Sequence, residues 1–90
     1  MNPRYGYTVD ADVLAFFTGL SRKQREQLAD VFQGLADNPF QAGENQRVKP
    51  NERTLQVTVF RGLWVVSWWV DHPVCLVRVA EVHRLIELRP

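Results

Sequence analysis

The residues of this chain whose types could do chemistry are few, and most lie in its second half. His83 and Arg84 stand side by side near the end of the last apolar run, Arg78 sits among Val and Leu inside that run, and Arg61 shares a turn signal with Gly62. A histidine with a pKa near neutrality can give or take a proton. Arginine can grip a phosphate through two parallel hydrogen bonds. Glu81 and Glu52 are carboxylates available to such a group, and Arg47, Lys49 and Arg53 could follow an anionic backbone. Each has a plainer reading: His83 as a rim histidine, Arg61 as a solvated turn residue, Arg47 and Lys49 as linker charges. Arg78 resists that treatment, because a charge in mid-strand needs a partner or an open face. His72, in Asp71-His72-Pro73, reads as turn chemistry.

Other chemistries have no foothold in the sequence. There is no phosphate-binding glycine loop and no Gly-x-Ser-x-Gly. Two histidines and one cysteine give no metal-ligand spacing, so neither a metal nor a cofactor is expected. Cys75, within an apolar stretch, reads as an inert buried thiol. The net charge is +1, spread as four basic and five acidic groups over residues 1–43 and seven and five over 44–90. That is a mildly basic second half, short of the signature of a dedicated nucleic-acid binder. The start, MNPRYGYTVD, lacks the apolar core of a signal peptide, and the longest apolar run, Leu63 to Val70, is far too short to span a membrane. A soluble, cytoplasmic protein is expected.

Ninety residues with 46% hydrophobic and 23% charged content imply one globular domain with a single core. Tyr5 to Val9 alternates and predicts a short strand. Asp10 offers an N-cap to a helix carrying Val13, Leu14, Phe16, Phe17 and Leu20. Ser21 and Gln24 form a capping box before a second helix striped by Leu28, Val31, Phe32, Leu35 and Ala36. Asn38-Pro39 ends it. Residues 39–52 have no period and read as a long connecting loop. Strands follow at 53–60, 63–70 and 74–82. If Arg61-Gly62 is a two-residue hairpin loop, Phe60 faces Leu63 and Gln56 faces Ser67. One face then carries Leu55, Val57, Val59, Trp64, Val66, Trp68 and Val70, with Cys75, Val77 and Val79, and belongs under the helices. The other is mixed, and Arg78, Ser67 and Gln56 would form a polar row across it. The fold class is α+β, a helical hairpin packed on an antiparallel sheet.

A short strand, a helical hairpin, a loop ending in a basic residue and a three-strand meander resemble the RelE/ParE superfamily of bacterial toxins, over about residues 5 to 88. LSRKQREQLADVFQGLADNP is similar to that family's second helix. FRGLWVVSWWVDHPVCLVRVAEVHR is similar to its central hairpin and last strand, where Val82-His83-Arg84 matches a common ending. The resemblance implies the toxin of a toxin–antitoxin pair, partnered by a cognate antitoxin. It further implies a metal-independent mRNA endonuclease, ribosome-dependent or free, that uses the substrate 2′-hydroxyl as nucleophile. His83 would then move protons, Arg61, Arg78 and Arg84 hold the phosphate, and Arg47, Lys49 and Arg53 bind RNA. The chain also departs from the family. Trp64 stands where an arginine is usual and Ser67 where a tyrosine is usual, and residues 86–90 contain no tyrosine. Aligned on the family Trp64 faces the ligand; by hydrophobicity it faces inward. Two further readings therefore stand beside the endonuclease: a toxin of the gyrase-targeting branch, and a non-catalytic interaction module of the same fold. All three expect a partner, an antitoxin or a second copy of the chain, over the apolar surface left by three tryptophans and two short helices.

Overall fold

Helical spacing in the first half and strand runs in the second resolve into two layers. The computed structural model describes residues 4–48 and 53–85. Lys49 and Glu52 lie outside the described residues. In chain order the elements are β1 (Gly6–Val9), α1 (Ala11–Thr18), α2 (Arg22–Asp37), β2 (Asn45–Val48), β3 (Thr54–Phe60), β4 (Trp64–Asp71) and β5 (Leu76–Arg84). The strands form one five-stranded sheet in the order β1-β5-β4-β3-β2. The α+β class is as expected, but the sheet is mixed. β1 runs parallel to β5, with Gly6 opposite Leu76 and Val9 opposite Val79, while the other pairings are antiparallel. Tight hairpins dictate antiparallel neighbours; the direction of β1, so far from β5 in the chain, is set by how the helical hairpin returns across the sheet.

Local chemistry starts the helices where the sequence places them. Ser21 Oγ accepts the Gln24 N–H at 3.2 Å, and Gln24 Oε1 accepts the Ser21 N–H at 3.4 Å. Asp10 is the N-cap residue of α1 but makes no side-chain capping bond, and Asp12 in the first turn complements the helix dipole. Val13 and Leu20 of the first helical segment join Leu28, Val31, Phe32 and Leu35 of α2 in a core with Trp64, Val66, Trp68, Val77, Val79 and Val82. Tyr7, Val9, Phe16 and Phe17 pack around its edge. Both helices cover the same side of the sheet, and no described helix covers the other.

The β3–β4 register differs from the expected one by a single residue. Arg61 and Gly62 both take positive φ, 55° and 64°, as a tight hairpin turn demands. The Leu63 N–H closes that turn on the Phe60 carbonyl at 3.0 Å. Leu63 is then left out of the ladder, so Phe60 pairs with Trp64 and Gln56 with Trp68. A one-residue slip turns every side chain of a strand over. Phe60, Thr58 and Gln56 therefore share the helix side with Trp64, Val66, Trp68 and Val70, and the Phe60 and Trp68 rings lie 6.1 Å apart. Leu55, Val57 and Val59, expected beneath the helices, face the opposite way with Val65, Ser67 and Trp69.

Two more boundaries are corrected. Within the expected loop 39–52, Asn45–Val48 forms an exposed edge strand, with Arg47 opposite Leu55. Its polar residues carry no hydrophobic alternation, so only the partner strand reveals it. Gly43 admits this approach: a Cβ there would stand 2.7 Å from the Val57 nitrogen and 2.9 Å from its oxygen. At the other turn, His72–Val74 is a 3-10 turn followed by Cys75 in the left-handed region at φ 53°. Pro73 cannot donate to a ladder, so β5 begins at Leu76 rather than 74 and runs on to Arg84. Cys75 belongs to the turn, half-buried, and not to the inner face.

Candidate functional site

An irregularity in β5 decides which charged groups meet. Ser67 pairs with Glu81 but Trp68 pairs with Val79, leaving Ala80 as an extra residue. Before the bulge Val77 and Val79 point at the helices; after it Val82 does. Arg78, Glu81 and His83 consequently share the open face, although strict alternation would put Arg78 and His83 on opposite sides. Arg84 turns back toward the helices. Its Nη2 donates to Gln24 Oε1 at 3.2 Å, and its guanidinium lies 5.8 Å from the Trp64 ring.

Trp69 is the centre of the open face. Arg78 pairs with it in register, its guanidinium carbon 5.6 Å from the ring centroid, and Arg53 lies over the same ring at 3.4 Å. Arg78 Nε also donates to Asp71 Oδ2 at 3.1 Å, which answers the question of its mid-strand charge. Further along, Arg47 of β2 pairs with Glu81 of β5. The bridge crosses β3 and β4, and the arginine stem covers apolar surface. Leu55 and Ser67 beneath are only 3% and 2% exposed although no helix covers them. The polar row of Arg78, Ser67 and Gln56 does not form. Ser67 lies opposite Glu81, Arg78 lies opposite Trp69, and Gln56 is on the helix side, accepting the Gly43 N–H at 2.9 Å.

The expected catalytic residues are therefore divided. Arg78 and His83 share the open face but stand about 15 Å apart at the usual strand rise. Arg61 and Arg84 belong to the helix side, where Arg61 reaches Asp30 of α2 at 3.7 Å. Of the expected RNA-binding residues, Arg47 and Arg53 are on the open face; Lys49 lies outside the described residues. Trp64, where the resemblance expects an arginine, has 0% exposure and makes no hydrogen bond through its indole N–H among the described residues. The inward reading of Trp64 holds. Among the described residues no group of three or more His, Cys, Asp or Glu could hold a metal ion, and no helix is long and apolar enough to cross a membrane.

A second cluster escaped the sequence reading. The Tyr5 hydroxyl lies 2.8 Å from His72 Nδ1, and Phe40 stacks on the His72 ring at 5.2 Å with 12° between planes. Tyr5 meets both rings edge-on. Desolvation raises the Tyr5 hydroxyl pKa above the usual tyrosine value, and the charge and hydrogen bond of Cys75 add to it. No spacing signal marks three residues so far apart in the chain; only Asp71-His72-Pro73 hinted at the turn that gathers them. Beside this cluster lies a groove of 520 Å³ whose lining includes Phe40 and His72 with Gln56 and Val70 of the helix side, and reaches Arg53 and Trp69.

Comparison with known proteins finds no match. No family model, curated protein or solved structure matches this chain. The functional reading thus rests on the residues and their geometry.

Proposed function

We propose that this protein is the toxin of a bacterial toxin–antitoxin pair, similar to the RelE/ParE toxins, and that it holds a macromolecular target on its open sheet face rather than cutting RNA. The toxin reading is supported by the α+β arrangement of a helical hairpin on a sheet and by the second-helix and last-strand segments that resemble that family. One observation carries the choice of binding over cleavage: the four residues that would make a cleaving site are split between two faces of the sheet. Arg78 is held by Asp71 and Arg84 by Gln24. General acid–base catalysis on one phosphate needs its groups within hydrogen-bond reach of the same atoms, and this arrangement does not bring them there. A gyrase-targeting mode needs no such set, and Trp69 with its arginines offers the aromatic and arginine anchors that dominate protein interfaces. A cognate antitoxin is the expected partner in the cell.

Induced expression without an antitoxin tests this. Growth should arrest with cellular mRNA intact and DNA supercoiling by gyrase inhibited. Trp69→Ala with Arg78→Ala should relieve the arrest, and Arg84→Ala should leave it. Fragmented mRNA whose appearance depends on His83 would reverse the choice in favour of the endonuclease. That reading keeps one supporting observation, the exposed His83 on the same face as Arg53 and Arg78. Unimpaired growth would leave a non-catalytic interaction module of the same fold.

A further inference from the structure

We infer that β1 is the contact through which two copies of this chain pair, edge to edge, across a two-fold axis at Thr8.

The two edges of the sheet differ. β2 is exposed along its whole length, reads Asn-Gln-Arg-Val, and has its Arg47 drawn onto the open face by Glu81. β1 reads Gly-Tyr-Thr-Val, without the charge, proline or bulge that keeps an edge from pairing. The Gly6 N–H donates to the Cys75 carbonyl at 3.0 Å and the Asp10 N–H to the Val79 carbonyl at 3.1 Å. Alternation turns Thr8 the same way. Tyr7 and Val9 therefore point their N–H and C=O groups away from β5, where no described strand lies. Their side chains are on the helix side. With Leu14 and Phe17 of α1 and Phe32 of α2 they line an apolar pocket of 180 Å³ beside that open edge, and Leu14 is 52% exposed. Unpaired backbone next to an apolar pocket is the arrangement that receives an added strand: main-chain bonds hold it, and the pocket takes a side chain.

The strand that fits is β1 itself. An antiparallel pair centred on Thr8 sets Tyr7 opposite Val9 of the second copy, and Val9 opposite its Tyr7. Such outward-facing residues exchange both N–H···O bonds. Residues directly opposite share a face, so each Tyr7 ring lies beside the other copy's pocket, with the smaller valine across from it. The ends match in charge. Asp10 makes no capping bond and Asp12 lies in the first turn of α1. Among the described residues neither of them, nor Arg4, forms an ion pair. The same register carries Arg4 of each copy toward Asp12 of the other, as a self-complementary interface requires. Edge, pocket filler and charge partner all come from one chain. Both copies' helices then lie on one side of a continuous sheet, and Trp69 with its arginines stays uncovered.

The test is sedimentation equilibrium of the full-length protein from about 10 μM to about 1 mM, a range suited to small interfaces, with amide hydrogen exchange at both ends of it. A concentration-dependent passage from monomer to dimer is expected. The Tyr7 and Val9 amides should exchange about tenfold more slowly or better at the higher concentration, whereas that of Gly6, already bonded to Cys75, should change little. Leu14→Glu buries a charge on pairing and should weaken the dimer about tenfold or more, while its circular dichroism remains that of the parent. Arg4→Glu should weaken association, and Arg4→Glu with Asp12→Arg should restore it. A protein monomeric throughout, its Tyr7 and Val9 amides exchanging alike at every concentration, overturns the pairing and leaves the edge to a strand of a different protein. A dimer that leaves those amides unprotected, or that Leu14→Glu does not weaken, uses another surface and overturns it as well. A charge swap that fails to restore association overturns the register centred on Thr8.

Discussion

Trp68 and Trp69 are neighbours in one strand and lead opposite lives. Trp68 is 1% exposed, beneath the helices and beside Phe60. Trp69 faces the uncovered side, half-buried, with Arg53 and Arg78 against its ring. The helix-covered face is built mainly from shape and apolar area, with Gln56, Thr58 and Arg84 as polar groups at its margins. The open face is built from long arginine stems lying over aromatic and aliphatic groups, held by Asp71 and Glu81. Removing a helix-side group opens a cavity; removing an open-face arginine lets water onto the side chains it lay over without leaving an enclosed void. The first face should therefore hold the stability of the fold, and the second its capacity to bind.

Stability measurements can break that contrast. Trp68→Ala should destabilise the fold by about 3–5 kcal/mol, as large-to-small changes of buried aromatics do. Trp69→Ala should cost less than half as much in the same urea melts. Equal losses would mean that the open face is covered in solution. Gly43→Ala comes next. Its Cβ would meet the Val57 backbone at 2.7 Å, and relieving such overpacking costs about 1–3 kcal/mol. The change should show as a lower melting point together with faster hydrogen exchange in β2, the strand that Gly43 lets close on β3. The smallest effect is the ion pair between Arg78 and Asp71, whose side chains are 35% and 23% exposed. A double-mutant cycle on stability should give a coupling within about 1 kcal/mol, shrinking with added salt. A larger, salt-insensitive coupling would make Arg78 a structural residue of the sheet instead of a binding one.

The sequence by itself determined the two helices, β1 and the three strands of the second half. Ser21 with Gln24 starts α2, and Asn38-Pro39 ends it. Arg61-Gly62 turns the hairpin because both residues adopt positive φ there. The stripe of Leu28, Val31, Phe32 and Leu35 names the face that must be buried, and Trp64, Val66 and Trp68 name the strand face that receives it. These are local facts of capping, turn geometry and period. Three matters were left to the tertiary structure, two of them set by one residue more or less in a ladder. Leu63 drops out of pairing and turns β3 over, which sends Leu55, Val57 and Val59 outward. Ala80 bulges and sends His83 to the open face while Arg84 goes to the helices. Asn45–Val48, without any alternation of its own, becomes a strand because β3 offers it an edge and Gly43 lets it close. A side-chain period of two makes facing hostage to such single residues, and nothing in a lone strand's sequence counts the residues of its partner.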